Sequence, residues 1–228
     1  MPDSQGADCT LTGQMRPVRA VAFDFNGTLS DDEPILLEVY QELFAEHGRP
    51  LTGAQYFQTL AGRSEEAIIA SWLGVHGAAL DALVEERIDR YLARSQGGET
   101  VSATVRAAVV YAAGRVPVAV VSGAFRREIE PVLSGAQLDG YVAVLVAADD
   151  VERGKPDPAC YTRALELLGG VAGNEVVAFE DTEAGVASAK AAGLRCIAVA
   201  GTHPPDRLRL ADELVETLDP DVLSRVLG

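Results

Sequence analysis

The sequence predicts an α/β protein built on a Rossmann-like parallel sheet, with a small α-helical cap domain inserted into it. Two observations support this fold class: short, almost wholly apolar runs alternate with helical patterns over most of the chain, and one long segment holds helical patterns only. Such apolar runs are typical of strands buried on both faces, which occur in parallel sheets covered by helices. The chain has 228 residues, 48% of them hydrophobic, and is long enough for one core and a smaller appendage.

The predicted sheet has five strands joined by helical crossovers. The apolar runs lie at 19–24, 116–122, 141–147, 175–180 and 195–200. Helices fit near 103–114, 124–134, 158–169 and 183–192, and crossovers of this kind favour parallel strands. Ligands of such sheets bind beyond the carboxyl ends of the strands, so functional residues are expected at that edge.

Residues 32–99 interrupt this alternation and predict the helical cap domain. Helical patterns without a convincing strand between them lie at 33–48, 64–74 and 78–95. The core domain is then formed by 19–31 and 100–228. Candidate hinges are 30–33 and the glycine-rich 96–102.

The composition limits which binding partners and which cellular compartment are expected. With 19 Lys and Arg against 34 Asp and Glu, the formal net charge is -15, which disfavours nucleic acids and anionic membrane surfaces as partners. The chain holds no apolar run of membrane length, and residues 1–18, which lack the apolar block of a signal peptide, are predicted to be a mobile tail. Three cysteines, Cys9, Cys160 and Cys196, have neither metal-ligand spacing nor an even count for disulfides. We expect a cytoplasmic protein, as a monomer or a weak homodimer.

Four polar clusters follow predicted strands and are expected to meet at one edge of the sheet. They are Asp24 before Asn-Gly-Thr, Ser122 with Gly123, Lys155 in Gly-Lys-Pro-Asp-Pro, and the pair Glu180 and Asp181. Lysine is rare in this chain, which has only Lys155 and Lys190, so a lysine beside acids in a loop bracketed by Gly and Pro is informative. A carboxylate nucleophile, a hydroxyl donor, one lysine and a distal acidic pair suit phosphoryl transfer, which depends mainly on positioning and charge neutralisation.

These four motifs, in this order and spacing, resemble those of the haloacid dehalogenase superfamily over roughly residues 19–210. The resemblance is to its phosphatases with a helical cap, a branch that includes phosphoglycolate phosphatases and β-phosphoglucomutase. It implies that Asp24 attacks phosphorus and that Ser122, with Gly123, binds the transferring phosphoryl group. It also implies that Lys155 neutralises charge and holds the nucleophile, and that the substrate is a small phosphorylated metabolite.

The resemblance further implies a Mg²⁺ cofactor. Asp24, the backbone carbonyl of Asn26 and Asp181 would bind the ion, with Glu180 as a ligand or as a neighbour of the ligands. Hard oxygen ligands and a substrate phosphate are what Mg²⁺ prefers. In addition, Arg63 in Leu-Ala-Gly-Arg-Ser-Glu-Glu resembles the cap loop with which this family contacts the leaving group.

Each motif also has a purely structural interpretation. An acid such as Asp24 can hold a turn, Ser122 can cap the helix that follows it, Lys155 can lie on the surface, and adjacent acids can occupy a solvated turn. The functional interpretation is favoured because an acid that ends a buried strand is costly without a partner, and because two adjacent acids after an apolar strand need a cation.

Asn26 departs from the family pattern, which usually has a second aspartate two residues after the nucleophile. That aspartate protonates the departing oxygen and later activates water, whereas an amide cannot exchange a proton near neutral pH. Losing general acid-base catalysis costs about 10² to 10⁴ in rate. Three interpretations stay open: a phosphatase suited to good leaving groups, a phosphometabolite-binding or regulatory module with residual activity, and a chain in which an aspartate was deliberately replaced.

Members of the superfamily that catalyse two other reactions also lack this aspartate, and the sequence disfavours both reactions for this chain. Phosphonate cleavage needs a cap lysine, and residues 32–99 contain none. Haloacid dehalogenases, as a family, do not carry an acidic pair such as Glu180 and Asp181. Asp32, where the family commonly has serine, would be either a substitute acid or the N-cap of a helix that begins near Pro34.

Overall fold

The computed structural model describes residues 17–228, which contain one six-stranded sheet with helices on both faces. The strands are β1 (Ala20–Phe23), β2 (Val118–Val121), β3 (Val144–Val146), β4 (Val176–Glu180), β5 (Arg195–Val199) and β6 (Glu213–Val215). All pair in parallel, in the order β3-β2-β1-β4-β5-β6, which confirms the predicted Rossmann-like α/β class. The edge strand β6 lies outside the five predicted strands, because its three residues are too few to show a periodicity.

Between β1 and the rest of the sheet, the chain forms four helices, which we call the cap. They are α1 (Glu33–Glu46), α2 (Gly53–Thr59), α3 (Glu65–Leu73) and α4 (Ala78–Ser95). Helices α1, α3 and α4 match the predicted patterns, and no strand occurs within residues 32–99. The short helix α2 was not predicted, although the sequence carries its start signal: Thr52 and Gln55 form a capping box in which each side chain accepts from the other residue's backbone N–H.

The remaining helices cover the two faces of the sheet. Helices α5 (Ala103–Ala113), α6 (Arg126–Gly135), α7 (Ala159–Leu167) and α8 (Glu183–Ala191) match the predicted crossovers, and α9 (Pro220–Leu227) is an additional helix. Val21 and Phe23 of β1 face the apolar layer that holds α5, α6 and α9, whereas Ala20 and Ala22 face the layer that holds α7 and α8. The central strand β1 is thus buried on both faces, and its carboxyl end delivers the next residue to the middle of the sheet edge.

The two segments that join the cap to the sheet run beside each other. The backbone N–H of Asp31 donates to the carbonyl of Thr100 at 2.9 Å, and Ser30 Oγ donates to Thr100 Oγ1 at 2.7 Å. Both contacts fall within the candidate hinges. The boundaries of the core domain (19–31 and 100–228) and of the cap domain (32–99) stay predictions that these contacts support.

A buried ion pair also connects the cap to α6, one of the helices that cover the sheet. Arg87 of α4 donates to Glu128 of α6 and lies 3.5 Å from a carboxylate oxygen of Glu65 of α3. The guanidinium lies over the rings of Tyr40 and Tyr91 as well. Buried charges are costly unless they are paired, so α4 and α6 must stay in register for the Arg87–Glu128 pair to be satisfied.

Several predictions about the chain as a whole fall partly outside the described residues. Of the predicted tail, residues 1–16 lie outside them, whereas Val18 packs against the core. Cys160 and Cys196 are buried free thiols, and Cys9 lies outside the described part. Among helices in residues 17–228, none has the length and apolar character needed to cross a membrane.

Candidate active site

A cavity of about 300 Å³ lies between the carboxyl edge of the sheet and the cap. The predicted site residues on its wall are Asp24, Asn26, Arg63, Ser122, Gly123 and Lys155. Glu180 and Asp181 do not line it, since both are fully buried behind Asp24 and Lys155. The structure therefore brings the predicted residues of the sheet together, from the ends of β1, β2 and β4 and from the loop after β3.

Lys155 connects the acids at the base of the cavity. Its Nζ donates to Asp24 Oδ1 at 2.5 Å, to Glu180 Oε1 at 2.6 Å and to the carbonyl of Val121 at 2.9 Å. Tyr161 of α7 donates to the same Glu180 oxygen at 2.7 Å. The lysine side chain is 8% exposed, which rules out the surface interpretation.

Burial and neighbouring charges set the protonation of this group. Burial alone would lower the pKa of Lys155, but the charges of Asp24 and Glu180 outweigh it and raise that pKa above its usual value. Burial raises the pKa of Glu180 to about 7, against the charge of Lys155, which lowers it. Lys155 is thus a fixed positive charge beside Asp24, which lines the cavity.

Three carboxylates form a cluster whose charge exceeds what one lysine can balance. Oxygen atoms of Asp24, Glu180 and Asp181 all lie within 4.8 Å of one another. Thr28 donates to Asp181 Oδ1 at 3.1 Å, but Asp181 Oδ2 and Glu180 Oε2 are buried and accept no hydrogen bond from the described residues. Burial, followed by the charges of Asp24 and Glu180, raises the pKa of Asp181 well above its usual range. This donor set, all oxygen and short of positive charge, fits a divalent cation such as Mg²⁺.

Gly27 allows the backbone after Asp24 to approach Asp181 closely. Its φ of 77° lies in the left-handed region, and a Cβ at this position would overlap Asp181 Oδ2. The side chain of any other residue would therefore fill the space where the acids converge.

The side chain of Asn26 forms a hydrogen bond with Asp32, which precedes the first helix of the cap. Its Nδ2 donates to Asp32 Oδ2 at 2.9 Å, and the hydroxyl of Tyr91 donates to the same oxygen at 2.5 Å. Asp32 is fully buried and does not line the cavity. It is the N-cap residue of α1, as the sequence predicted, although its side chain makes no capping hydrogen bond. Asp32 instead fixes the amide of Asn26, which lies between it and the cavity.

Ser122 lies where β2 ends and does not cap the next helix, since the N-cap of α6 is Phe125. Its Oγ accepts from the backbone N–H of Ala124 at 3.0 Å, and the side chain is buried on the cavity wall. Accepting that bond leaves the hydroxyl proton free to donate toward the cavity. Gly123 follows it on the same wall, with open space where a Cβ would lie.

Arg63 lies on the rim of the cavity with an exposed side chain. Its guanidinium donates to Ser71 Oγ at 3.4 Å and has no carboxylate within ion-pair distance in the described chain. The predicted contact with a leaving group stays a prediction.

The cap adds two acids to the cavity wall that were not among the predicted site residues. Glu33 accepts from the hydroxyl of Tyr56 at 3.0 Å, and burial raises its pKa to about 7. Burial raises the pKa of Glu65 to about 8, against the charge of Arg87, which lowers it. Acids in a first helical turn usually interact with the helix dipole in solvent, which is why their burial here could not be read from their positions.

Residues 18–193 match the haloacid dehalogenase-like hydrolase family. A validoxylamine A 7'-phosphate phosphatase from Streptomyces hygroscopicus subsp. limoneus is 32% identical over 203 residues, which cover 88% of this chain and 94% of that protein. A phosphoglycolate phosphatase from Yersinia pestis is 28% identical over 84% of this chain and 89% of that protein.

Among solved structures, CbbY from Rhodobacter sphaeroides superposes with a TM-score of 0.78 at 25% identity. The match covers 88% of this chain and 95% of that one. CbbY was solved in complex with phosphate, and a variant of it with one aspartate changed to asparagine was solved in complex with xylulose-(1,5)bisphosphate.

Proposed function

The chain belongs to the haloacid dehalogenase-like hydrolases, and on that premise we propose that it is a Mg²⁺-dependent phosphatase of a small phosphorylated metabolite, acting through an aspartyl-phosphate on Asp24. The observation that carries this proposal is the contact of Lys155 with both Asp24 and Glu180 at the base of the cavity. We propose in addition that Asn26 slows the reaction, because an amide stands where the family has its proton donor. The relatives that carry phosphatase names support the same reaction class.

Two displacements at phosphorus account for the reaction. In the first, a carboxylate oxygen of Asp24 bonds to phosphorus while the bond to the ester oxygen breaks, and the leaving oxygen takes its proton from water because Asn26 has none to give. In the second, water attacks the same phosphorus, loses a proton to solvent and releases phosphate, which restores Asp24. Ser122 and Gly123 would donate hydrogen bonds to the phosphoryl oxygens, and Lys155 would offset their charge.

Asp24, Asp181 and the backbone carbonyl of Asn26 would hold Mg²⁺, with Glu180 beside them. The support for this set is the acidic cluster with its two unpartnered carboxylate oxygens. When bound, the ion offsets negative charge on the phosphoryl group. Close approach at Gly27 keeps Asp181 within reach of the other ligands.

Removing Mg²⁺ with a chelator is expected to abolish turnover, and adding it back is expected to restore both turnover and the melting temperature. The thermal effect arises because an ion that binds only the folded chain stabilises it and relieves repulsion among the carboxylates. Asp181→Asn should weaken Mg²⁺ binding, measured by calorimetry, by about 10-fold or more. Glu130→Gln, which removes an exposed carboxylate of α6, is the matched control and should leave the affinity unchanged. Full turnover in chelator would refute the metal dependence.

A phosphometabolite-binding or regulatory module is the second candidate function, and Asn26 is the observation that favours it. The discriminating experiment is a Mg²⁺-dependent assay across a panel of phosphate esters, paired with calorimetry on the same esters. Turnover supports the phosphatase. Tight binding of an ester that is never cleaved supports the module.

Arg63→Ala is expected to change the order in which substrates are preferred more than it changes hydrolysis of p-nitrophenyl phosphate. Arg63 lines the cavity from the cap, where we propose that it contacts the leaving group. The check is kcat/KM for each ester in the panel. An equal loss for all esters would show a structural role instead.

A further inference from the structure

His203 lies in the segment after β5 and contacts the first turn of α8. The side chain is 4% exposed, and its Nδ1 accepts from the backbone N–H of Glu183 at 3.0 Å. The first N–H groups of a helix have no partner within the helix, so this contact satisfies one of them. Because a neutral imidazole carries one proton, acceptance at Nδ1 places that proton on Nε2, which is then a donor.

The donor side of the His203 ring faces the cap. Its Nε2 is buried and has no hydrogen-bond partner among the described residues. Burial, followed by the charge of Arg207, lowers the pKa of His203, which keeps the ring uncharged near neutral pH. The backbone of Ala61 acts in the opposite direction and raises that pKa, which is the effect of a carbonyl oxygen close to the ring. The carbonyl of Ala61 is thus the acceptor available to Nε2.

The segment 60–64, which we call the α2–α3 loop, joins α2 to α3 and carries Arg63 onto the cavity wall. A Cβ at Gly62 would lie 3.2 Å from the side chain of Thr182 and 3.7 Å from Cε1 of His203. With no side chain at Gly62, whose φ is 82°, the backbone of the loop rests directly on these two residues.

The surface under the α2–α3 loop adjoins the acidic cluster. Thr182 directly follows Asp181 in the chain, and Thr202 directly precedes His203. A Cβ at Gly27 would overlap both Asp181 Oδ2 and the hydroxyl of Thr202, so both sides of this surface border the cluster. A loop that is held on this surface therefore keeps its cationic side chain at a fixed distance from the acids.

We propose that His203 is a positioning residue, whose Nε2–H donates to the carbonyl of Ala61 and holds the α2–α3 loop where Arg63 meets the leaving group. This inference rests on the proposed phosphatase function and names a residue outside the four motifs that controls its selectivity. Because His203 acts through the loop, it affects the choice between esters more than the attack by Asp24 on phosphorus.

Two substitutions separate the two sides of the His203 ring. His203→Asn keeps an oxygen that can accept from the N–H of Glu183, but its shorter side chain does not reach Ala61. It is expected to lower the selectivity, defined as kcat/KM of the preferred ester divided by that of p-nitrophenyl phosphate, by about 3- to 10-fold, the effect of one hydrogen bond. His203→Gln has an N–H close to the position of Nε2 and should retain most of the selectivity. His76→Asn is the control, since His76 is exposed and does not line the cavity.

The double variant Arg63→Ala with His203→Asn shows whether His203 acts through Arg63. Substitutions that act through the same loop are not additive, so the double variant should have the selectivity of Arg63→Ala alone. A further loss in the double variant would overturn the inference. So would an equal loss with every ester in His203→Asn, or a loss in His203→Gln as large as that in His203→Asn.

If the His203 variants do not fold, nitrogen-15 NMR of the histidine rings in the unchanged protein, with Mg²⁺ and inorganic phosphate added, decides the inference. The chain has 3 histidines, which makes the ring signals few enough to assign. A neutral His203 ring with a slowly exchanging proton on Nε2 supports the inference. A proton on Nδ1, or fast exchange with solvent at Nε2, would overturn it.

Failure of the proposed function is seen separately, as absence of p-nitrophenyl phosphate hydrolysis by the unchanged protein. In that case calorimetry with the same esters and Mg²⁺ replaces kcat/KM, and the ratios of affinities among the same variants decide the inference.

Discussion

Asp24→Asn is expected to abolish hydrolysis of every phosphate ester, by about 10⁴-fold or more, because an amide cannot attack phosphorus. Asparagine has almost the shape of aspartate, so the change removes the nucleophile and the charge that Lys155 contacts at 2.5 Å while keeping the packing. The measurements are turnover of p-nitrophenyl phosphate and the intact mass of acid-quenched protein. The unchanged protein should show the phosphoenzyme, and the variant should not.

Asp221→Asn is the matched control for this experiment, since Asp221 is an exposed carboxylate of α9 that does not line the cavity. It should keep full activity and the phosphoenzyme signal. An Asp24→Asn protein that turned over normally would remove Asp24 as the nucleophile, and with it the proposed mechanism.

Asn26→Asp is expected to raise hydrolysis of alkyl phosphates by about 10² or more and to raise that of aryl phosphates least. Without a proton donor the leaving group must carry its own negative charge, so rates in the unchanged protein should depend steeply on leaving-group acidity. The introduced carboxyl would stand beside Asp32, which now accepts from Asn26 Nδ2 at 2.9 Å. Two adjoining carboxyl groups share a proton, which keeps an acid available near neutral pH. Rates across a leaving-group series test this.

The double variant Asn26→Asp with Asp32→Asn tests whether the gain comes from an acid at position 26 or from having two acids side by side. It has one carboxyl group and one amide, as the unchanged protein does, but at exchanged positions. It should retain most of the gain in alkyl-ester hydrolysis. If the unchanged protein cleaves alkyl and aryl phosphates equally well and Asn26→Asp gains nothing, another residue supplies the proton. Asp32→Asn alone would then show whether that residue is Asp32.

These assays need chemically intact Asn26, because the sequence Asn26-Gly27 is prone to deamidation, which would create the missing aspartate. The backbone N–H of Gly27 donates to the carbonyl of Ser30 at 2.8 Å, which holds the nitrogen that would attack the side chain. Peptide mapping of each preparation distinguishes native turnover from that of a deamidated trace.

The sequence was sufficient for the features that depend on local pattern. Apolar runs predicted the central strands. The family match confirmed membership of the haloacid dehalogenase-like hydrolases, which the motifs around Asp24 and Lys155 had indicated. The edge strand β6 and the helix α2 are short, so each is formed more by its packing partners than by its own periodicity.

The contacts that organise the candidate site could not be predicted in the same way. Tyr161 supports Glu180, and Tyr91 reaches Asp32 across 59 positions of chain. Such pairs depend on how the helices pack against one another, and a single sequence contains no pattern that predicts this packing. The same holds for Glu65, whose burial follows from the placement of Arg87.

The Arg87–Glu128 pair would make any movement of the cap sensitive to salt concentration. When α4 separates from α6, the two groups become hydrated ions, and their recovered hydration offsets much of the lost attraction. For this ion pair taken alone, the joined and parted arrangements then differ little in free energy, and only the parted ions are exposed to screening by mobile counter-ions. In the proposed reaction, we therefore expect ionic strength to change the rate of cap opening more than it changes the proposed attack by Asp24.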